Sequence, residues 1–230
     1  MHPFTQKVRT LFMAHADPDR SRQMKRYMKG HFSFYGITTP ERKTLTHQLL
    51  IDTGFPPIHE LEKLTMELWS MPERELHHLA LDLLDSRTEA IGLDWLSLLE
   101  YLITHNSWWD TVDRIASRIV GAYFKVHCDE ARSVTEKWLR SENLWLQRTC
   151  ILYQLKYKTQ TNEELLYGSI RYCSHSTEFF IQKAIGWALR EYSKSDQIAV
   201  RKFIEDHPLA PLSKREGMKW LKKQQPVDSS

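Results

Sequence analysis

Trp109 and Asp113 stand four residues apart in the stretch Ser107-Trp108-Trp109-Asp110-Thr111-Val112-Asp113. On an α-helix that interval stacks the two side chains on one face. An anion beside an aromatic ring stabilises a group that is, or becomes, positively charged. Glycosidic cleavage is such a case, because the sugar passes through an oxocarbenium-like transition state that a nearby carboxylate stabilises while orienting or deprotonating water. A salt bridge to a basic neighbour and a plain helix-surface charge are the other readings of Asp113. If Ser107 caps the helix and Asp110 closes a capping box, Trp108, Val112, Ile115 and Ile119 form the buried stripe, and Trp109 and Asp113 flank it.

A second group lies further along. Over residues 179–194, Ile181, Ile185, Ala188 and Tyr192 make an apolar stripe, and Lys183, Trp187, Arg190 and Lys194 fall together on the other side. Three cations around a tryptophan can line phosphates beside a stacking surface, or the ring can simply pack on a neighbouring helix. Arg148 follows Gln147 among Leu144, Cys150, Ile151, Leu152 and Leu155, so its guanidinium needs a partner. That partner is either a carboxylate held for structure or a phosphate in a groove. Lys214-Arg215 opens a helix after Pro208-Leu209-Ala210-Pro211-Leu212-Ser213 and can clamp a backbone or stand as surface charge.

Other chemistries have no material here. No glycine-rich phosphate loop, Gly-x-Ser-x-Gly elbow or His-Glu-x-x-His motif occurs, and eight glycines leave little for such loops. His127-Cys128 and Cys173-Ser174-His175 lack the paired spacing of a zinc site, so no metal is expected. Three widely spaced cysteines, Cys128, Cys150 and Cys173, fit a reducing compartment, with cytoplasm as the default. No apolar run reaches the roughly 18 residues of a membrane span, and Met1-His2-Pro3-Phe4 does not open a signal peptide.

The elements that must position these residues are helices. The 230 residues are 41% hydrophobic, enough for one large domain or a short repeat array. Helical periodicity dominates, with no strong strand. Thr39-Pro40-Glu41 places a proline in the first turn after a capping threonine, and Ser70-Met71-Pro72-Glu73 repeats the device as a Ser-x-x-Glu box. Gly54-Phe55-Pro56-Pro57 is a turn. A weak repeat runs through the chain: Trp145-Leu146-Gln147-Arg148 with Tyr157 matches Phe180-Ile181-Gln182-Lys183 with Tyr192 at an offset of 35, and Leu76-His77-His78-Leu79-Ala80 falls in phase two steps upstream. Such a period with only helical content predicts stacked helix pairs. One domain over 1–223 and a loose tail over 224–230 are expected. Charge is uneven, with seven cations against two acids in 1–30, nine against seventeen in 31–136, and sixteen against nine in 137–223. If the basic ends share a concave surface, that surface suits nucleic-acid phosphates.

At these residues the chain resembles the AlkD family of bacterial alkylpurine DNA glycosylases. The matching stretches are the Ser107–Asp113 segment, Met24-Lys25-Arg26-Tyr27-Met28-Lys29, Gly36-Ile37-Thr38-Thr39-Pro40-Glu41-Arg42, Asn143 through Arg148, Phe180 through Trp187, and Leu209 through Glu216. The resemblance implies an all-α superhelical array of HEAT-like antiparallel helix pairs with a basic concave face. It implies hydrolysis of the N-glycosidic bond of cationic N3- or N7-alkylated purines in double-stranded DNA, without the base-flipping pocket most base-excising enzymes use. By carry-over, Asp113 is the catalytic carboxylate, and Trp109 and Trp187 pack against the lesion-bearing sugar and backbone. Tyr27 and Arg148 hold the DNA backbone, with Arg190, Lys194, Lys183 and Lys214 as further phosphate contacts. The resemblance implies no metal and no cofactor, and a monomer in the bacterial cytoplasm, on the nucleoid when bound to DNA, is expected.

Overall fold

The computed structural model describes residues 1–90 and 92–224. The chain forms two compact units, Met1–Leu98 and Leu99–Ser230. Among the described residues the architecture is all-helical, and the sole pairing of extended backbone is an isolated bridge between Ser33 and Glu73. No described helix is long and apolar enough to cross a membrane. The tail expected over 224–230 lies outside the described residues beyond Gln224.

The first unit holds α1 (Pro3–Ala14), α2 (Pro18–Tyr27), α3 (Thr39–Thr53), α4 (Leu61–Trp69) and α5 (Arg74–Asp85). Its core gathers Phe12, Leu61, Leu64, Leu68, Trp69, Leu76 and Leu79, all fully buried. Short polar side chains start the helices. The Asp17 carboxylate accepts from the backbone N–H groups of Asp19 and Arg20 ahead of Pro18. The α3 box is built by Thr38, one residue before the expected threonine, with Glu41 closing it. Arg20 donates to the same Glu41, and that charged bond first, then the Thr38 bonds, hold the Glu41 carboxyl down at about 2. Gly54, at φ 77°, ends α3 at the expected turn.

The Ser70-x-x-Glu73 box does not form. Ser70 sits at the end of α4 and its hydroxyl donates back to the Glu67 carbonyl, while Glu73 precedes α5 without a side-chain cap. The reason is tertiary: Ser33 N–H donates to the Pro72 carbonyl at 3.2 Å and Arg74 N–H to the Ser33 carbonyl at 2.9 Å, so a non-local bridge sets the backbone at this helix start.

After α6 (Leu96–Thr104) come α7 (Trp109–Arg114), a π-helical turn over Ile115–Val120, and α8 (Gly121–Val126), forming one continuous rod. Then follow α9 (Glu130–Arg140), α10 (Leu144–Leu152), α11 (Glu163–Cys173), α12 (Phe179–Tyr192), α13 (Gln197–Asp206) and α14 (Pro211–Lys223). Asn143, Asn162 and Asp196 cap α10, α11 and α13. Ser107 does not cap α7; its hydroxyl donates to the Ile103 carbonyl at 2.6 Å, and Trp108 occupies the cap position. Val112, Ile115 and Ile119 are fully buried as the stripe predicts, Trp108 at the cap is only half-buried, and Trp109 and Asp113 are half-buried beside the stripe.

The 35-residue offset has a structural counterpart. The Gln147 amide donates to the Leu139 carbonyl at 3.0 Å and the Gln182 amide to the Ser176 carbonyl at 3.1 Å, each tying its helix to the preceding segment. α12 packs against α10 on one side and α14 on another. The second contact is closed by Gly186: a Cβ there would lie 2.4 Å from Glu216 Cβ and 3.1 Å from the Ser213 carbonyl oxygen. Gly186→Ala should therefore cost about 2 kcal/mol through overpacking, which thermal unfolding would register as a drop of roughly 4–8 °C. An unchanged melting temperature would mean that the two helices do not approach so closely.

Candidate active site

The second unit brings together residues from α7, α10, α12 and α14. Arg148 enters from α10 and is 1% exposed. Its Nε donates to Asp113 Oδ1 at 2.6 Å and its Nη2 to Oδ2 at 2.8 Å, a bidentate fork that matches the planar carboxylate. Nη1 donates to the Phe180 carbonyl at the start of α12. Burying a guanidinium costs several kcal/mol unless its donors are met, and here all three faces are engaged. Of the two partners open to Arg148, the structure supplies the carboxylate. Buried and paired in this way, the guanidinium fixes the orientation of the Asp113 carboxylate.

Asp113 keeps 23% of its side chain exposed. Burial pushes its carboxyl above the ordinary range; the bonds and charge of Arg148 pull it down, and the neighbouring Asp110 charge adds to the rise. Each of its oxygens spends one lone pair on Arg148 and retains another. The site can therefore hold a negative charge of fixed orientation at the protein surface.

Trp187, half-buried on α12, lies between two cations. The Arg148 guanidinium carbon is 5.3 Å and the Lys183 ammonium 5.4 Å from its ring centre. Lys183 in turn reaches Glu216 Oε1 on α14 at 3.1 Å, and Arg190 reaches Oε2 at 3.4 Å. Lys219, one turn along α14, completes the group at 2.8 Å. Glu216 is only 4% exposed, and its carboxyl is held below the usual range by the Lys219 bond, with burial opposing and Lys183 adding to the fall.

The expected residues do not all meet. Lys183 and Arg190 sit with Trp187, whereas Lys194 lies past the end of α12 and pairs with Glu191 at 2.5 Å. Lys214 is exposed in the first turn of α14. Tyr27 ends α2 in the first unit, 72% exposed, with Lys25 and Arg26 in the same turn.

Two components escaped sequence reasoning. Glu216 is one; its neighbours Lys214 and Arg215 drew attention to the helix start, and only Lys219 at i+3 hinted at an ion pair. The other is an aromatic triangle. Trp108, Trp145 and Phe180 have ring centres 5.2–5.8 Å apart, and Phe179, 58% exposed, joins Phe180 at 5.6 Å. Trp145 and Phe180 stand at matching positions of the 35-residue offset, which is the signal in the sequence that points to their pairing.

The sequence model of the family described as DNA alkylation repair enzyme matches residues 8–221. A solved structure, described as a predicted DNA alkylation repair enzyme from Enterococcus faecalis, is 34% identical, covers 90% of this chain and 97% of its own, and superposes with a TM-score of 0.83. No curated protein sequence matches.

Proposed function

Because the chain belongs to the DNA alkylation repair enzyme family, we propose that it is a monofunctional DNA glycosylase, hydrolysing the N-glycosidic bond of cationic N3- and N7-alkylated purines in duplex DNA without a base-flipping pocket. The observation that carries this reading is Asp113: a carboxylate held by a buried arginine, with an open edge, on a helix whose partner α12 offers a tryptophan flanked by cations.

An alkylated purine already bears the positive charge that a protonated leaving group would need. When the bond from C1′ breaks, its electron pair leaves with the base, neutralises it, and places positive charge on the sugar. Asp113 stabilises that charge and orients the water whose oxygen then bonds to C1′; the water's surplus proton passes to the carboxylate or to solvent. Burial leaves Asp113 a stronger base than a free carboxylate even against the pull of Arg148, so the fixed carboxylate serves both to stabilise the sugar's charge and to take the water's proton. Trp109 and Trp187 pack on the sugar and backbone around the lesion, Tyr27 and Arg148 hold the DNA backbone there, and Lys183, Arg190, Lys194 and Lys214 make further phosphate contacts. The protein acts as a monomer in the bacterial cytoplasm, its residues 1–223 serving as one HEAT-like repeat domain that cradles the duplex on a basic concave face.

Duplex DNA methylated with a simple alkylating agent tests the reading. We expect 7-methylguanine and 3-methyladenine to appear as free bases on chromatography after incubation with excess protein. If the protein binds this DNA and releases neither base, it is a non-catalytic reader of damaged DNA.

A further inference from the structure

Glu216 is a buried carboxylate on the inner face of α14, with Lys183, Arg190 and Lys219 disposed around it. Exposure rises outward, from 5% of the Glu216 side chain to 22% for Lys183, 35% for Arg190 and 49% for Lys219. The anion is therefore innermost and the cations form the rim. Three cations cannot gather this closely unaided, because their mutual repulsion in a partly desolvated setting would spread the long side chains. One carboxylate, with four lone-pair positions, holds them and leaves the cluster two positive charges in excess. Each ammonium also keeps protons unspent on Glu216.

Position sharpens the argument. Lys183 and Arg190 lie four residues before and three after Trp187, on one face of α12. Lys183 spans from Glu216 at 3.1 Å to the Trp187 ring at 5.4 Å, and Arg148 on the ring's account at 5.3 Å leads on to Asp113. The sequence of contacts runs unbroken from α14 to α7. The absence of a side chain at Gly186, next to Trp187, is what lets Glu216 come this close.

We propose that Glu216 is a positioning residue of the site: it fixes Lys183, Arg190 and Lys219 as one phosphate-binding cluster and, through Lys183, sets the Trp187 ring against Arg148. The proposal rests on the reading of Asp113 and Trp187 as the groups that face the lesion.

Glu216→Gln keeps the packing against Gly186 and removes the charge. Without DNA, the indole N–H resonance of Trp187, assigned with Trp187→Phe, should move in Glu216→Gln and stay in place in the exposed control Lys222→Gln. With undamaged duplex, the fall of log affinity with log salt should become shallower by roughly one, because the dispersed cations no longer hold a phosphate and fewer DNA-bound counterions are released. Single-turnover base release at saturating protein should fall about tenfold or more, since small displacements of positioning groups are costly. An unmoved resonance or an unchanged salt slope overturns the proposal. Should Glu216→Gln fail to fold, Lys183→Gln must move the same resonance, and its failure to do so counts equally against it. If the resonance and slope respond but wild type releases no base, Glu216 retains its role and the glycosylase reading falls.

Discussion

Replacing Asp113 by asparagine is expected to lower single-turnover release of 7-methylguanine by about 10²- to 10³-fold, the usual loss when a preorganised charge opposite the transition state is removed. Asparagine preserves shape, so the effect isolates charge. It also disturbs Arg148, because one amide edge accepts from the guanidinium while the other presents N–H against N–H. The buried cation is left without a counter-ion, with a stability loss of about 3 kcal/mol. Rates must therefore be compared well below the variant's melting temperature, alongside binding to undamaged duplex. Release as fast as wild type from folded Asp113→Asn would remove Asp113 from the chemistry.

Arg148→Met is expected to do nearly as much damage by a different route. It strips both Asp113 oxygens and the Phe180 carbonyl of their donors, and the uncompensated carboxylate should cost about 3 kcal/mol. That is the low end for a broken buried pair, because Asp113 retains an edge in water. Arg148 is also what pulls the Asp113 carboxyl down against burial and the Asp110 charge. In its absence the carboxyl rises further. Since the reaction needs the ionised form, base release by wild type should decline as pH falls through the raised Asp113 value, and the variant should decline from a higher pH. Stability moves the opposite way. A group whose folded value is raised above its unfolded one favours folding below the unfolded value and loses that contribution as pH rises through the folded value. The melting deficit of Arg148→Met against wild type should thus narrow on acidification. Superimposable pH–rate profiles would show that Arg148 does not act through Asp113. Arg148→Lys should fall between, keeping the charge and losing the fork.

Much of the frame was legible. The spacing of Trp109 and Asp113 predicted that both would flank a stripe of Trp108, Val112, Ile115 and Ile119; they flank the last three, which are buried, whereas Trp108 stands half-buried at the helix cap. Gln147 and Gln182, 35 residues apart, each donate to a carbonyl of the preceding segment, although the acceptors lie eight and six residues back and so are not in register. Capping was less legible. Ser70 and Glu73 had the right interval for a box, yet a bridge to Ser33, far away in sequence, decided that helix start. Ser107 likewise found a carbonyl behind it instead of an N–H ahead.

What the sequence determined by itself is periodic and local. Side chains three or four apart share a helix face by geometry alone, so the identity and facing of Trp109, Asp113, Lys183, Trp187 and Arg190 follow from their order. What only the tertiary structure decided is which charges meet. Arg148 had a carboxylate and a phosphate as rival partners, and nothing in its neighbourhood separated them. Its real partners, Asp113 and the Phe180 carbonyl, are 35 and 32 residues away, and Glu216 lies 33 beyond Lys183. Ion pairing depends on distance and desolvation, quantities set by how helices pack and not by the interval along the chain.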